Sequence, residues 1–215
     1  MTGIVPIRSG SKGIPHKNVK LFNGKPLVWW VLKSLEESDV EKVVVSTDSE
    51  DYISLIKTFG FTKVIFYLRS QDCSTDTAST ELVLIETIKN MKLNGNIMLA
   101  QATSPLTTSS DFNKGINLYQ GYDSILSVVK QKRFIWENNK PLNYHYNLRP
   151  RRQDWNGYFV ENGAFYINSS KNIIESKNRL SGKIGMCEMD EYTFYEIDSK
   201  QDWLILESIQ QNLKK

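Results

Sequence analysis

The first half of this chain has one dominant rhythm: short apolar, β-branched runs alternate with longer segments of helical period. The runs fall at residues 3–7, 42–46, 63–67, 96–100 and 124–130. Between them, apolar residues recur at helical spacing over 26–37, 49–59, 79–90 and 109–120. Pro26 stands near the start of the first of these, and Ser49 and Gly60 bracket the second as N-cap and stop. Such a pattern is read as βα units that pack helices on a mainly parallel sheet. Right-handed crossovers then stack the strands into one sheet, and the loops at their carboxyl ends form the ligand crevice. The expected fold class is therefore α/β and three-layer.

Past residue 130 the rhythm breaks. Residues 131–157 are rich in Asn, Arg, Tyr and Trp without an amphipathic helix, and they read as an excursion from the domain. A returning strand is predicted over 158–167, another over 184–188, and a closing helix over 200–212 that offers Trp203, Leu204, Leu206 and Ile209 for packing. At 215 residues the chain can bury one substantial core, so a single domain over 1–215 is expected, with 131–157 as its arm.

Composition excludes several classes. A hydrophobic share of 40% and a charged share of 24% fit a folded, soluble chain. No stretch approaches the roughly 18 apolar residues of a spanning helix. Met1 runs straight into a strand-like segment, so a cytoplasmic protein without a membrane partner is expected. Cys73 and Cys187 lack a CxxC partner and read as structural thiols. A net charge of +3 spread over scattered lysines argues against nucleic acid and suits a small anion.

Directly after the first run comes Arg8-Ser9-Gly10-Ser11-Lys12-Gly13-Ile14-Pro15-His16-Lys17-Asn18. Its glycines let backbone N–H groups turn inward as an anion-binding concavity, while Arg8 can grip phosphate oxygens as a fork and the lysines act as point charges. The loop lacks both GxxxxGK[ST] and GxGxxG, so it is neither a Walker loop nor a dinucleotide fingerprint.

Other candidates are more ambiguous when read from the residues alone. Gln101, Thr103 and Ser104 follow the run 96–100, with Pro105 blocking a helix; they line a crevice mouth or simply make a turn. Arg69 reads as a surface cation, and Thr77 or Ser79 as a helix N-cap. Arg149, Arg151, Arg152 and Gln153 form the densest basic cluster outside the loop, suited to a carboxylate or merely solvated. Glu196 and Asp198 stand at i and i+2 on an expected strand end, so both carboxylates face one side. That pair suits Mg²⁺ with phosphate and water, or a solvated edge or cap. Trp136, Tyr144, Tyr146 and Trp155 suit an interface or a flap on their own subunit. The two histidines, His16 and His145, make no metal site or triad, and His16 reads as loop filler.

Six segments in order carry a resemblance: VPIRSGSKGIPHKNVKLFNGKPL, VSTDSE, LRSQDCSTDTAST, LAQATSPL, ENGAFYI and EIDSKQDW. Together they resemble the CMP-sialic acid synthetases (acylneuraminate cytidylyltransferases) and the related pseudaminic and legionaminic acid cytidylyltransferases. The resemblance implies a Rossmann-like nucleotide-binding core of the nucleotide-diphospho-sugar transferase type, with a small dimerisation arm. It implies nucleotide binding by Arg8, Ser9, Gly10, Ser11, Lys12, Asn18, Arg69 and Thr80, and catalysis by Arg8, Lys12, Lys17 and Asp198. It places sugar contacts at Gln101, Thr103, Ser104, Arg152, Gln153 and Asn162, and Mg²⁺ at Glu196 and Asp198. A homodimer through 131–157 is implied, which leaves open a sugar site completed by the partner or within one chain. Three positions depart from the family: Thr107 where relatives commonly carry Arg, Glu196 where Asp is usual, and Ile7 where a smaller alanine sits beside the base pocket.

The implied reaction transfers CMP from CTP to the anomeric hydroxyl of a nine-carbon 3-deoxy-2-keto sugar acid, releasing pyrophosphate. Alternatives are the same chemistry on an eight-carbon octulosonic acid and a nucleotide-binding homologue without turnover. A glycosyltransferase would need a DxD-type metal motif, for which Asp190 in MDEY is a poor candidate. No residue is assigned as general base.

Overall fold

The computed structural model describes residues 1–213. β1 (Thr2–Pro6) leads to a small hairpin, β2 (Leu21–Phe22) and β3 (Lys25–Pro26). There follow α1 (Leu27–Glu36), β4 (Lys42–Thr47), α2 (Glu50–Lys57), β5 (Val64–Leu68), α3 (Thr80–Asn90), β6 (Asn96–Ala100), α4 (Ser109–Tyr119) and β7 (Ser124–Gln131). The excursion holds a second hairpin, β8 (Trp136–Glu137) with β9 (Lys140–Pro141). The chain returns through β10 (Tyr158–Ser169), α5 (Ser170–Ser176), β11 (Ile184–Met189) and α6 (Lys200–Leu213).

Seven strands share one sheet in the order β11-β7-β10-β6-β1-β4-β5. All neighbours are parallel except β10, which runs antiparallel to both β6 and β7. The α/β reading holds, and every strand and helix predicted over a stated range is present with its ends within two residues. Alternation along the strands explains the layering. Val5, Val43 and Val45 face α1, α2 and α4 through Val31, Leu35, Tyr52 and Phe112, whereas Ile4, Val44 and Leu99 face α3 and α5 through Leu84, Ile88 and Ile173. Each such side chain contributes about 1.5–3 kcal/mol on burial.

A third apolar cluster matters more for function. Ile14, Phe22, Leu27, Leu106, Ile197, Trp203 and Leu206 pack together, with Phe22 and Trp203 edge-to-face at 5.5 Å. It staples the loop after β1 to the segment that leads into α6. Here one expectation is corrected: Glu196 and Asp198 lie on no strand. Ile197 between them is fully buried and donates its N–H to Thr103 O at 2.8 Å, within an irregular stretch that precedes α6. Burial of Ile197 in the third cluster, not strand pleating, leaves the flanking carboxylates as neighbours. Among the described residues no helix is long and apolar enough to cross a membrane.

Candidate active site

A cavity of about 370 Å³ opens where the carboxyl ends of β1, β5 and β6 deliver their loops. After β1 the chain builds to one side through β4 and β5, then crosses to the other side as β6. The crevice therefore lies at the switch in strand order, where open α/β sheets bind ligands.

The loop after β1 supplies the positive end. Arg8 Nη1 donates to Asp76 Oδ1 at 2.6 Å, and Lys12 Nζ lies 2.7 Å from Asp76 Oδ2. Two cations thus converge on one anionic group, and the hydrogen bonds from Lys12 and Arg8 hold the Asp76 carboxyl below its ordinary value. Lys17 Nζ donates to Ile197 O at 2.6 Å and to Asp198 Oδ1 at 3.0 Å. Asn18 Nδ2 ties the loop back to Arg8 O at 3.0 Å. A Cβ at Gly13 would lie 2.7 Å from Asp198 O, so the close approach of loop and closing segment needs glycine there.

Two expectations about this loop change. Ser9 does not turn its N–H into the crevice: its N–H and Oγ both go to Asp48, at 2.8 and 3.0 Å. Gly10 is exposed and lines no part of the cavity, whereas Ser11, Lys12, Lys17 and Asn18 do. Ile7 is corrected as well. The two-residue period of an extended chain sends Pro6 and Arg8 to the crevice and buries Ile7, 1% exposed, in the core against α1. It lines no part of the cavity.

Arg69 is not a surface cation. It is 8% exposed, and its Nε and Nη2 have no hydrogen-bond partner. Burial lowers its pKa, and Asp48, with its Oδ1 3.9 Å from Nη2, is the main opposing influence. A desolvated guanidinium with free donors at a cavity wall is a site for acceptor atoms. Thr80 joins it there, because Ser79 does the capping of α3 by accepting from Leu82 N–H at 3.2 Å. Cys73 also lines the wall. Burial pushes its thiol, like that of Cys187, up to about 11, which suits inert structural thiols.

At the other end, Gln101 lines the cavity while its Nε2 donates to Gly163 O at 2.8 Å. Thr103 Oγ1 and Ser104 Oγ are buried without partners. Thr107, where relatives commonly carry Arg, is 2% exposed and donates to Ser104 O at 2.9 Å, so this hydroxyl closes the turn. Asn162 is pinned between β10 and the 191–194 turn, its Nδ2 donating to Thr193 Oγ1 at 3.1 Å, and its Oδ1 is unpartnered. Arg152 and Gln153 are exposed, and the fold does not bring them to the crevice. Arg152 instead lines a separate cavity of about 390 Å³ with Arg133, Phe134, Arg149 and Trp155.

Glu196 and Asp198 suit a divalent cation. Burial, and then the nearby Asp198, push the Glu196 carboxyl up, and among the described residues no hydrogen bond reaches it. A hard cation would relieve that repulsion, with phosphate oxygens and water completing its shell. The described residues hold no cluster of three or more His, Cys, Asp or Glu able to bind a metal alone.

The sequence left Asp48, Asp76 and Glu86 without roles, although the first two stand inside the quoted segments VSTDSE and LRSQDCSTDTAST. Nothing in local spacing reveals a carboxylate that faces another loop.

A parallel-sheet crevice with fixed cations for a polyphosphate at one end and, at the other, Gln101 and the unpartnered Thr103 hydroxyl has the layout of the nucleotidyltransferases. Comparison with known sequences narrows this. The family model described as Cytidylyltransferase matches residues 2–212, and the chain belongs to that family. It is similar to N-acylneuraminate cytidylyltransferase B of Danio rerio, 37% identical over 95% of this chain and 50% of the relative. CMP-N,N'-diacetyllegionaminic acid synthase of Legionella pneumophila is 26% identical over 96% of this chain and 94% of its own length. The chain spans about half the length of the fish relative and of the N-acylneuraminate cytidylyltransferase of Escherichia coli, whose overlap is 51%. A solved structure of CMP:2-keto-3-deoxy-manno-octonic acid synthetase complexed with CTP aligns with a TM-score of 0.73 over 99% of this chain and 98% of that one. Its identity is 16%, a likeness of fold alone.

Proposed function

We propose that this chain transfers CMP from CTP to the anomeric hydroxyl of a nine-carbon 3-deoxy-2-keto sugar acid. The observation that carries the reading is the pairing of two features in one crevice: convergent Arg8 and Lys12 for a triphosphate, and a buried Arg69 with free donors for the nucleoside side. Relatives named for N-acylneuraminate and diacetyllegionaminic acid support nine carbons. The sugar oxygen attacks the α-phosphorus, a new O–P bond forms, and the P–O bond to pyrophosphate breaks. The hydroxyl proton passes to solvent.

Such in-line displacement depends on positioning and charge stabilisation more than on covalent catalysis. Arg8, Lys12 and Lys17 neutralise the leaving pyrophosphate, and Thr80 with Arg69 orients the cytidine end. Gln101, Thr103 and Ser104 meet the sugar hydroxyls. Glu196 and Asp198 would hold Mg²⁺, which when bound supplies charge neutralisation at phosphate oxygens. A homodimer through residues 131–157 belongs to the same proposal, with Arg152 and Gln153 of each protomer serving the other's sugar site.

Incubation with CTP, Mg²⁺ and a panel of eight- and nine-carbon sugar acids, read by mass spectrometry, tests the reading. A CMP-linked nine-carbon acid is the expected product, and a product with only the eight-carbon acid, or none, overturns it. Lys12→Ala and Asp198→Asn are each expected to slow pyrophosphate release roughly 100-fold or more, with circular dichroism unchanged.

A further inference from the structure

The phosphate loop and Arg69 arise from β1 and β5, and β4 lies between these strands in the sheet. Its last residues hold both neighbours by backbone bonds, Ile7 N–H to Ser46 O and Arg69 N–H to Thr47 O, each at 2.9 Å. Asp48, the next residue, extends that link with its side chain. One oxygen accepts from Ser9 N–H and the other from Ser9 Oγ, while the first also faces Arg69 Nη2.

Several details argue that this carboxylate serves the site and not merely the fold. α2 begins two residues on, but its N-cap is Ser49, which accepts from Tyr52 N–H, so Asp48 is not spent on the helix. Its side chain is 18% exposed, and among the charges acting on the buried Arg69 it is the strongest influence that favours the charged form. Its pair of hydrogen bonds from Ser9 also fixes the backbone from which the neighbouring Arg8 projects. Asp48 itself lines no part of the crevice, so it acts through others.

We propose that Asp48 is a positioning residue for the nucleotide. It sets the phosphate loop through Ser9 and, facing Arg69 Nη2, holds the guanidinium aimed, so that the triphosphate and nucleoside grips stand at a fixed spacing. The proposal rests on the cytidylyltransferase reading above.

The test is calorimetric titration of CTP and of inorganic pyrophosphate into wild type, D48N, D48E, S9A and R69K, with steady-state kinetics and melting curves alongside. D48N is near-isosteric but cannot accept two hydrogen bonds from Ser9 with a negative charge. CTP affinity is expected to fall about tenfold or more, with a matching rise in KM and a much smaller change in kcat. Pyrophosphate, which reaches only one grip, is expected to lose less than CTP. D48E, which keeps the charge, should recover part of the CTP affinity. The D48N/R69K double variant should lose less than the product of the two single effects. Should D48N fail to fold, S9A and D48E carry the comparison, S9A losing affinity for CTP with its melting temperature kept.

If D48N melts lower but its folded fraction binds CTP as wild type does, Asp48 is structural and the proposal falls. It falls equally if the D48N and R69K effects simply multiply. Wild type that binds no CTP overturns the cytidylyltransferase reading itself, and the role of Asp48 with it.

Discussion

At Arg69, burial and charge oppose each other most strongly. A guanidinium 8% exposed, with two nitrogens unpartnered, costs the free fold stability. Replacing it with a similar-sized apolar side chain removes that cost and the ligand grip together. Arg69→Met is expected to gain about 1 kcal/mol or more in thermal melting while CTP binding by calorimetry falls below detection. A variant that is both less stable and still able to bind would refute this. Glu86, on α3, gives a pH prediction. Burial raises its carboxyl, but hydrogen bonds from Cys73, Ser70 and Tyr67 outweigh that and pull it down to about 2. A carboxyl lowered in the fold adds stability above its unfolded value, and that contribution fades as pH falls toward the folded value. Wild type should therefore outmelt Glu86→Gln at pH 7, with the gap closing from about pH 4.5 toward pH 2. Apart from the family resemblance, which assigns Arg69 to the nucleotide, these roles are illegible in the residues themselves for one reason. The positive loop announces its chemistry by composition, whereas Arg69, Asp48 and Glu86 gain theirs only from burial and from loops distant in the chain.

At the scale of elements, legibility follows length and period. The long sheet strands and the longer helices, such as α1, α3, α4 and α6, show clear apolar spacing that marks their ends to within two residues. α5 has seven residues and follows β10 without a break, so no period develops. The β2–β3 turn places Asn23 and Gly24 at φ 46° and 81°, and the Asn-Gly pair in FNGK is its signal. No local rule covers residues 196–198, because the third apolar cluster decides their conformation. β10 carries the most consequential irregularity. Its register shifts between Glu161 and Tyr166, and Gly163 there has φ 68°. A Cβ at Gly163 would stand 2.8 Å from Glu196 Oε2. Gly163→Ala should cost about 1–3 kcal/mol through backbone strain. It should also raise the Mg²⁺ concentration needed for half-maximal turnover by displacing Glu196. An alanine variant with wild-type melting and metal dependence would show that the bulge does not set the carboxylate.

At the scale of the whole molecule, the arm is half committed to itself. Phe134 stacks on Trp155 at 4.7 Å, and Arg149 lies over Phe134 at 4.4 Å. Yet Trp136, Leu142, Tyr146 and Leu148 remain 54%, 59%, 61% and 79% exposed. An outward apolar patch beside a self-packed aromatic stack is what an interface between copies needs. The crevice residues from Arg8 to Asp198 come from one chain, while Arg152 opens on a different cavity. Sedimentation should therefore find a dimer that Leu148→Asp splits, leaving CTP affinity intact and turnover with the sugar acid lost. Mixing two inactive variants gives the sharper result. In a heterodimer of Arg152→Ala with Asp198→Asn, one site has both defects. The other pairs an intact Asp198 with an intact Arg152 from across the interface. Random exchange makes about half the dimers mixed, each with one intact site of two, so about a quarter of wild-type activity should return over the whole mixture. If Arg152 serves its own chain's crevice, every site keeps one defect and mixing restores nothing.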